Sequence, residues 1–288
     1  MILVTGALSD LGSRITRRLL AKHAHVRILV RPQANFEWLA NLSAQPVYGN
    51  ASYPPSLEGA FRDVTTVISA ATATVRAEDD ALHPIDFKDN QHIIDAAKAA
   101  GVKQFIFISA LGASPHYPSP FFALEGKTEE YLKLTGMPYT ILQPGIFMET
   151  WINLAIMRPI SAGLPVTIIG DGKRLHAWIS EYDVALFAVG MVNNPIAINQ
   201  TFALGGPEPL RWRDVLESYE HVTGHKLQVR YLEPGKHVGG VPDEVGSIMT
   251  YLALTDTPCT GTDLARIFGI QLTPVVQVIR EIVGMGVV

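Results

Sequence analysis

One turn constrains this chain more than any other feature. The apolar run Ile2–Thr5 stops at Gly6, and the string Thr5-Gly6-Ala7-Leu8-Ser9-Asp10-Leu11-Gly12 leads straight into a helical pattern. In that pattern Leu11, Ile15, Leu19 and Leu20 share one face, and Arg14, Arg17, Arg18 and Lys22 take the other. His25–Val30 (HVRILV) then reads as a strand closed by Pro32. Strand, glycine turn, helix, strand is the opening of a βαβ unit. In such a unit Gly6 supplies a tight turn of positive φ, and Gly12 lets the helix lie close against the strand. The turn also aims backbone N–H groups and a helix N-terminus at an anion, which in this position is a dinucleotide pyrophosphate. The glycines alone leave a second reading open, a strand-to-helix turn that needs Gly6 only for its φ. The βαβ context favours the nucleotide.

The alternation continues. A short helix at Asn35–Leu42 precedes the brief strand Pro46–Tyr48 and a turn at Gly49. One or two helical turns at Pro55–Phe61 lead to a buried strand at Val64–Ala71, and a helix at Asp86–Ala100 stops at Gly101. Gln104–Ser109 is the next strand, Phe122–Leu134 a helix and Tyr139–Leu142 a further strand. Near-continuous apolar strands alternating with helices predict an α/β fold, a doubly wound parallel sheet covered on both faces.

After Pro144 the pattern changes. Val166–Gly170 and Leu175–Ile179 flank Asp171-Gly172 as the strands of a hairpin, and a strand follows at Leu227–Leu232. Helices are expected at Ser180–Val192, Trp212–Val222, Val245–Leu252, Thr262–Phe268 and Pro274–Ile282. The expected division is a nucleotide-binding domain over 1–150 and a smaller α+β substrate-binding cap over 151–288, with some of its segments returning to the main sheet.

Arg31, at the end of the second strand, sharpens the ligand. A site for an unmodified ribose places an acidic residue about 20 positions past the glycines. Here the strand ends Leu29-Val30-Arg31. A guanidinium suits a 2′-phosphate, which accepts bidentate charge-assisted hydrogen bonds, so NADP(H) is favoured over NAD(H). Composition removes other classes. Lys+Arg 23 against Asp+Glu 27 gives a net charge of −4, with no basic excess for nucleic acid. The single cysteine, Cys259, permits neither an internal disulfide nor a Cys-rich metal site, and no metal is expected. The longest apolar run, near Val184–Val192, is about half of the ~20 residues that a membrane span needs. With strand character beginning at Ile2, a soluble cytoplasmic protein is the expectation.

Several segments together carry a resemblance. VTGALSDLGSRI, HVRILVRP, ISALGA, EGKTEEYLKLTGMPYTILQPGIFMETW and ISEYDVA resemble the NmrA-like branch of the atypical short-chain dehydrogenase/reductase superfamily. The resemblance implies a Rossmann-type domain binding NADP(H) at its strand ends. Gly6, Ala7, Leu8, Ser9, Asp10, Leu11 and Gly12 would form the phosphate loop, with Arg31 on the 2′-phosphate. Gly49 and Asn50 would lie beside the adenine, and Ala70, Ala71 and Thr72 under the cofactor ribose. Ser109 and Ala110 would stand near the nicotinamide, Lys127 would bond its ribose, and the loop Pro144, Gly145, Ile146 and Phe147 would close over it.

The chain departs from the family pattern at three places. Ser9 replaces the middle glycine of GxxGxxG, where its Cβ would crowd the pyrophosphate or its hydroxyl would donate to it. Ala123 stands where the superfamily's YxxxK motif has the tyrosine acid, and Gln143 stands where arginine is usual before Pro-Gly. The expected catalytic groups are therefore Lys127 and Ser109, Ser109 orienting a substrate carbonyl. Phe147, Met148, Trp151, His176 and Trp178 are read either as an apolar substrate pocket or as ordinary core. The expected function is an NADP(H)-dependent oxidoreductase passing hydride to a small apolar acceptor of quinone, enone or carbonyl type. The alternative is a non-catalytic NADP(H)-binding redox sensor that reports to a protein partner.

Overall fold

The computed structural model describes residues 1–32, 43–70 and 87–284. The expected helix Asn35–Leu42, Ala71 and Thr72 lie outside them. The strands, in chain order, are β1 (Ile2–Thr5), β2 (Val26–Val30), β3 (Gln45–Tyr48), β4 (Thr66–Ser69), β5 (Gln104–Ile108) and β6 (Tyr139–Pro144). They are followed by β7 (Ile146–Phe147), β8 (Val166–Ile169), β9 (His176–Ile179), β10 (Gln200–Leu204), β11 (Pro209–Leu210) and β12 (Val229–Leu232). The helices that bear on the site are α1 (Asp10–Ala21), α2 (Glu58–Phe61), α3 (Phe87–Ala99) and α4 (Pro120–Leu134).

Seven strands form the main sheet in the order β10-β6-β5-β4-β1-β2-β3. Every pairing from β3 to β6 is parallel. The chain builds outward from β1 to β3, then restarts at β4 on the other side of β1, so the direction of winding reverses between β1 and β4. This is the doubly wound Rossmann arrangement, with its crevice at the carboxyl ends of the strands on either side of the reversal. β1, β4 and β5 are buried along their whole length, which explains their apolar middles, with polar residues only at their ends. β3 is the exposed edge strand and carries Pro46, a residue that edges tolerate.

Burial of Leu3, Phe61, Val67, Ile93, Phe105, Phe107, Leu132 and Ile141 joins helices and sheet in one cluster. Each such side chain contributes about 1.5–3 kcal/mol. The first compact unit gathers Met1–Gln143 and Val184–Phe202; the second gathers Pro144–Asp183 and Ala203–Val288. The first unit thus takes back a later segment of the chain.

In the second unit the strands expected to form a hairpin do not pair with each other. β8 pairs in parallel with β12, while β9 pairs in parallel with β7 and antiparallel with β11. The chain between them turns at Gly170 and Gly172, with φ of 72° and 67°. There Asp256 Oδ1 accepts from the Leu175 N–H at 2.8 Å, and Thr257 exchanges backbone hydrogen bonds with Leu175 and Ala177 at 2.8 Å each. A remote segment therefore occupies the place that the hairpin partner would have filled. No helix among the described residues is long and apolar enough to cross a membrane.

Candidate cofactor site

The carboxyl ends of β3, β2, β1, β4 and β5 lie in a row because these strands are parallel neighbours. At about 4.8 Å per strand, the row spans about 19 Å, a length suited to an extended dinucleotide. Onto it the chain brings Gly49 and Asn50, then Arg31, Gly6, Ala70, and finally Ser109 and Ala110, each directly after its strand. Backbone bonds hold the row level: Gly49 N–H donates to Val30 O at 3.0 Å and Ala70 N–H to Thr5 O at 3.1 Å.

The turn after β1 is built as its residues require. Gly6 has φ 70°, the left-handed region that glycine enters without strain. At Gly12 an added Cβ would stand 2.1 Å from Gly6 O, so only glycine lets α1 approach the turn this closely. Ser9 is the N-cap of α1: its Oγ accepts from Gly12 N–H at 3.0 Å and donates to Gly6 O at 2.8 Å. The Ser9 hydroxyl closes the loop on itself. The first-turn N–H groups of Asp10 and Leu11 have no intrahelical carbonyl to bond, and they keep the donor capacity and positive end charge that a pyrophosphate needs. These residues fit a dinucleotide.

Other members of the row are shaped more by their own turn. Asn50 N–H donates to Ser56 Oγ at 2.8 Å, and Asn50 Oδ1 accepts from Ser52 N–H at 3.0 Å, an Asx turn after β3. At Gly49 an added Cβ would meet Leu29 Cδ1 at 2.8 Å.

At the far end of the row is a buried polar cluster that sequence reasoning missed. Ser109 Oγ donates to Glu129 Oε1 at 2.6 Å, and Gln143 Nε2 donates to the same oxygen at 2.8 Å. Lys133 Nζ lies 3.4 Å from Glu129 Oε2. Glu129 is buried on α4, and Ser109 is buried at the end of β5. Gln143, the residue in place of the usual arginine, holds this carboxyl with a neutral donor. The Ser109 hydroxyl has one proton, and in this arrangement it goes to Glu129. With its proton on Glu129, Ser109 presents lone pairs. The sequence signal was available: Glu125 and Glu129 share a helix face with buried Phe122 and Leu132.

Lys127 is exposed on α4 and makes no hydrogen bond or ion pair among the described residues; half-buried Ala123 lies one turn before it. α4 sits hard against the preceding loop, since a Cβ at Gly126 would stand 2.3 Å from the Ser114 carbonyl carbon.

Pro144, Gly145, Ile146 and Phe147 belong to the second unit, where Ile146 and Phe147 are a strand paired to β9 rather than a loop. The residues read as a substrate pocket are core. Met148, His176 and Trp178 are completely buried and Trp151 is nearly so. Trp178 packs edge-on against Trp212 at 4.8 Å and donates from Nε1 to Leu210 O at 3.1 Å. Residues with no reachable surface line no open pocket; Phe147 alone is half-buried. His176 is held neutral by burial, its pKa lowered to about 4. Among the described residues no group of His, Cys, Asp and Glu stands together as a metal site.

Comparison with known proteins agrees with this geometry. Residues 6–195 match a family described as NAD(P)H-binding. The NAD(P)H azoreductase of Xenophilus azovorans is 29% identical over 261 residues, covering 88% of this chain and 86% of that protein. The Photosystem II assembly factor Ycf39 of Guillardia theta is 30% identical over 229 residues, covering 79% and 72%. Among solved structures, the Citrobacter sp. triphenylmethane reductase complexed with NADP(H) is similar with a TM-score of 0.79 at 21% identity, covering 98% of this chain and 99% of that one. An NADPH-dependent quinone oxidoreductase from Escherichia coli is similar with a TM-score of 0.79 at 20% identity, covering 98% and 100%. With the family model spanning well over half of its length, the chain belongs to the NAD(P)H-binding family.

Proposed function

We propose that the protein is an NADP(H)-dependent reductase of a small apolar acceptor of quinone, enone or carbonyl type. The observation that carries this reading is the glycine turn. It places a helix N-terminus with open first-turn donors at the strand ends, beside Arg31 at the end of β2. In this reading Gly6 to Gly12 hold the pyrophosphate and Arg31 the 2′-phosphate. Gly49 and Asn50 lie beside the adenine, Ala70 under a ribose, and Ser109 and Ala110 near the nicotinamide, whose ribose Lys127 bonds. The cofactor, when bound, supplies the hydride. The chain's own residues position it: the turn fixes one end, and buried Ala70, Ser109 and Ala110 form a floor from which water is excluded. The quinone oxidoreductase among the similar proteins supports an acceptor of this class, and the azoreductase and the triphenylmethane reductase support reduction of a small organic acceptor.

The second reading, a non-catalytic redox sensor with a protein partner, is favoured by Ala123, which has no proton to give, and by the assembly factors among the relatives.

Calorimetric titration with NADPH and NADH is the test. NADPH is expected to bind more tightly, and Arg31→Ala is expected to weaken NADPH by about tenfold to a hundredfold while leaving NADH unchanged, the loss of a charge-assisted pair. Equal affinities that Arg31→Ala leaves alone would remove the NADP(H) preference, and binding of neither would remove the whole reading. Oxidation of NADPH by an azo, quinone or triphenylmethane acceptor selects the reductase over the sensor.

A further inference from the structure

We propose that Lys133, Glu129 and Ser109 form a proton relay from solvent to the acceptor, in place of the tyrosine acid that Ala123 lacks. The inference rests on the reductase reading above. Three links carry it. The Lys133 side chain is 40% exposed and the Glu129 side chain 6%, with 3.4 Å between Nζ and Oε2. Glu129 Oε1 lies 2.6 Å from Ser109 Oγ, and Ser109 stands at the end of β5 in the row of strand ends. The line thus begins at water and ends where the acceptor would lie, with a hydrogen bond at each step.

The groups facing Glu129 suit a carboxyl that changes its protonation. β5 brings the Ser109 hydroxyl, β6 the neutral Gln143 amide, and α4 itself the Lys133 ammonium. From α3, Asn90 bonds Thr128 instead, at 3.2 Å. A guanidinium at position 143 would favour the ionised carboxylate, whereas an amide bonds either form. The substitution that breaks the family pattern is therefore the one that lets Glu129 hold a proton in transit.

Reduction of a quinone needs a hydride and a proton. Once the hydride has reached the acceptor, its carbonyl oxygen becomes an oxyanion and takes the proton of Ser109 Oγ. Ser109 takes the Oε1 proton of Glu129 in its acid form, so the 2.6 Å contact runs in the reverse sense. The carboxylate is reloaded at Oε2 from the Lys133 ammonium, a half-turn of the carboxyl returns the proton to the Ser109 side, and water reprotonates Lys133. The sum is quinone, NADPH and one proton giving hydroquinone and NADP⁺.

The test uses two acceptors with NADPH. A triphenylmethane dye cation takes up hydride alone at its central carbon, whereas a quinone needs the proton as well. In Glu129→Gln and Gln143→Arg the ratio of quinone rate to dye rate is expected to fall about tenfold or more. A purely structural role lowers both rates together, and an unchanged ratio in both variants overturns the relay while the reductase reading stands. Wild-type protein that turns over neither acceptor overturns the reductase reading and the relay with it. A readout without turnover is the carbon NMR signal of the Glu129 carboxyl in cofactor-free protein, assigned by its loss in Glu129→Gln. Gln143→Arg is expected to move this signal toward the carboxylate position, and a signal that the substitution leaves in place overturns the relay.

Discussion

Ser9 shows what a single side chain in the phosphate turn is for. Its hydroxyl ties Gly12 N–H and Gly6 O together, a cap for α1 where the family motif has glycine. Ser9→Ala removes both bonds and is expected to lower stability by about 1 kcal/mol, whereas Ser9→Gly is expected to lose only a few tenths, since glycine is itself tolerated at an N-cap. For a chain of this size the alanine variant should melt about 2–4 °C lower. Thermal unfolding of the three proteins checks the order, and a glycine variant that melts as low as alanine would show that the hydroxyl holds more than the cap. The glycines around it were legible in the sequence because their roles follow from spacing: a positive φ at Gly6 and a close approach at Gly12. The Ser9 role was not, because residue type and spacing do not say where a hydroxyl points.

Elements were legible wherever their signal was local. The strands β1 to β6 and the described helices between them fall within a few residues of expectation because their apolar runs and stop residues are continuous in sequence. Pairing is not local, and there the reading failed at Asp171-Gly172, whose turn chemistry is real but whose flanking strands take partners from remote segments. The run Met148–Ser161 went unread as helix, since it carries Pro159, is apolar nearly all round and includes a π-helical turn at Asn153–Met157. Arg27 makes the same point about β2. It looks like the polar residue of a half-exposed strand, yet it is buried. Its Nη1 donates to Ala60 O at 2.9 Å and Arg62 O at 2.7 Å, stitching β2 to the end of α2. Arg27→Met keeps the apolar stem but leaves both carbonyls without their donor, and a loss of about 3 kcal/mol is expected. Urea unfolding measures it; a loss below about 1 kcal/mol would mean that water satisfies these carbonyls.

At the scale of the molecule the chain leaves its first unit at Gln143, returns at Val184 and leaves again after Phe202. The returning segment is bonded into the first unit by side chains that read as ordinary strand residues: Gln104 Nε2 donates to Met191 O at 2.8 Å, and Thr140 Oγ1 to Ala197 O at 2.8 Å. The second unit is likewise closed by distant residues, with Asp183 accepting from Thr273 N–H and Oγ1 at 2.8 Å each. In this unit His176 links the fold to pH. Its Nδ1 meets Thr257 Oγ1 at 3.0 Å, and its buried Nε2 has no partner among the described residues. Burial lowers its pKa from 6.5 to about 4. The fold thus favours the neutral ring, while the unfolded chain binds a proton below pH 6.5, so stability falls as the pH drops from 6.5 to about 4. The full loss is about 3 kcal/mol. Asp256, whose carboxyl is held below its usual 3.8 chiefly by the Leu175 N–H and then by Arg174, contributes stability that is lost only at still lower pH. The two windows separate, and a melting series from pH 7 to pH 4 is therefore expected to slope in wild type and to flatten in His176→Gln, which carries no titrating ring. Parallel slopes in the two proteins would place the acid sensitivity in other groups.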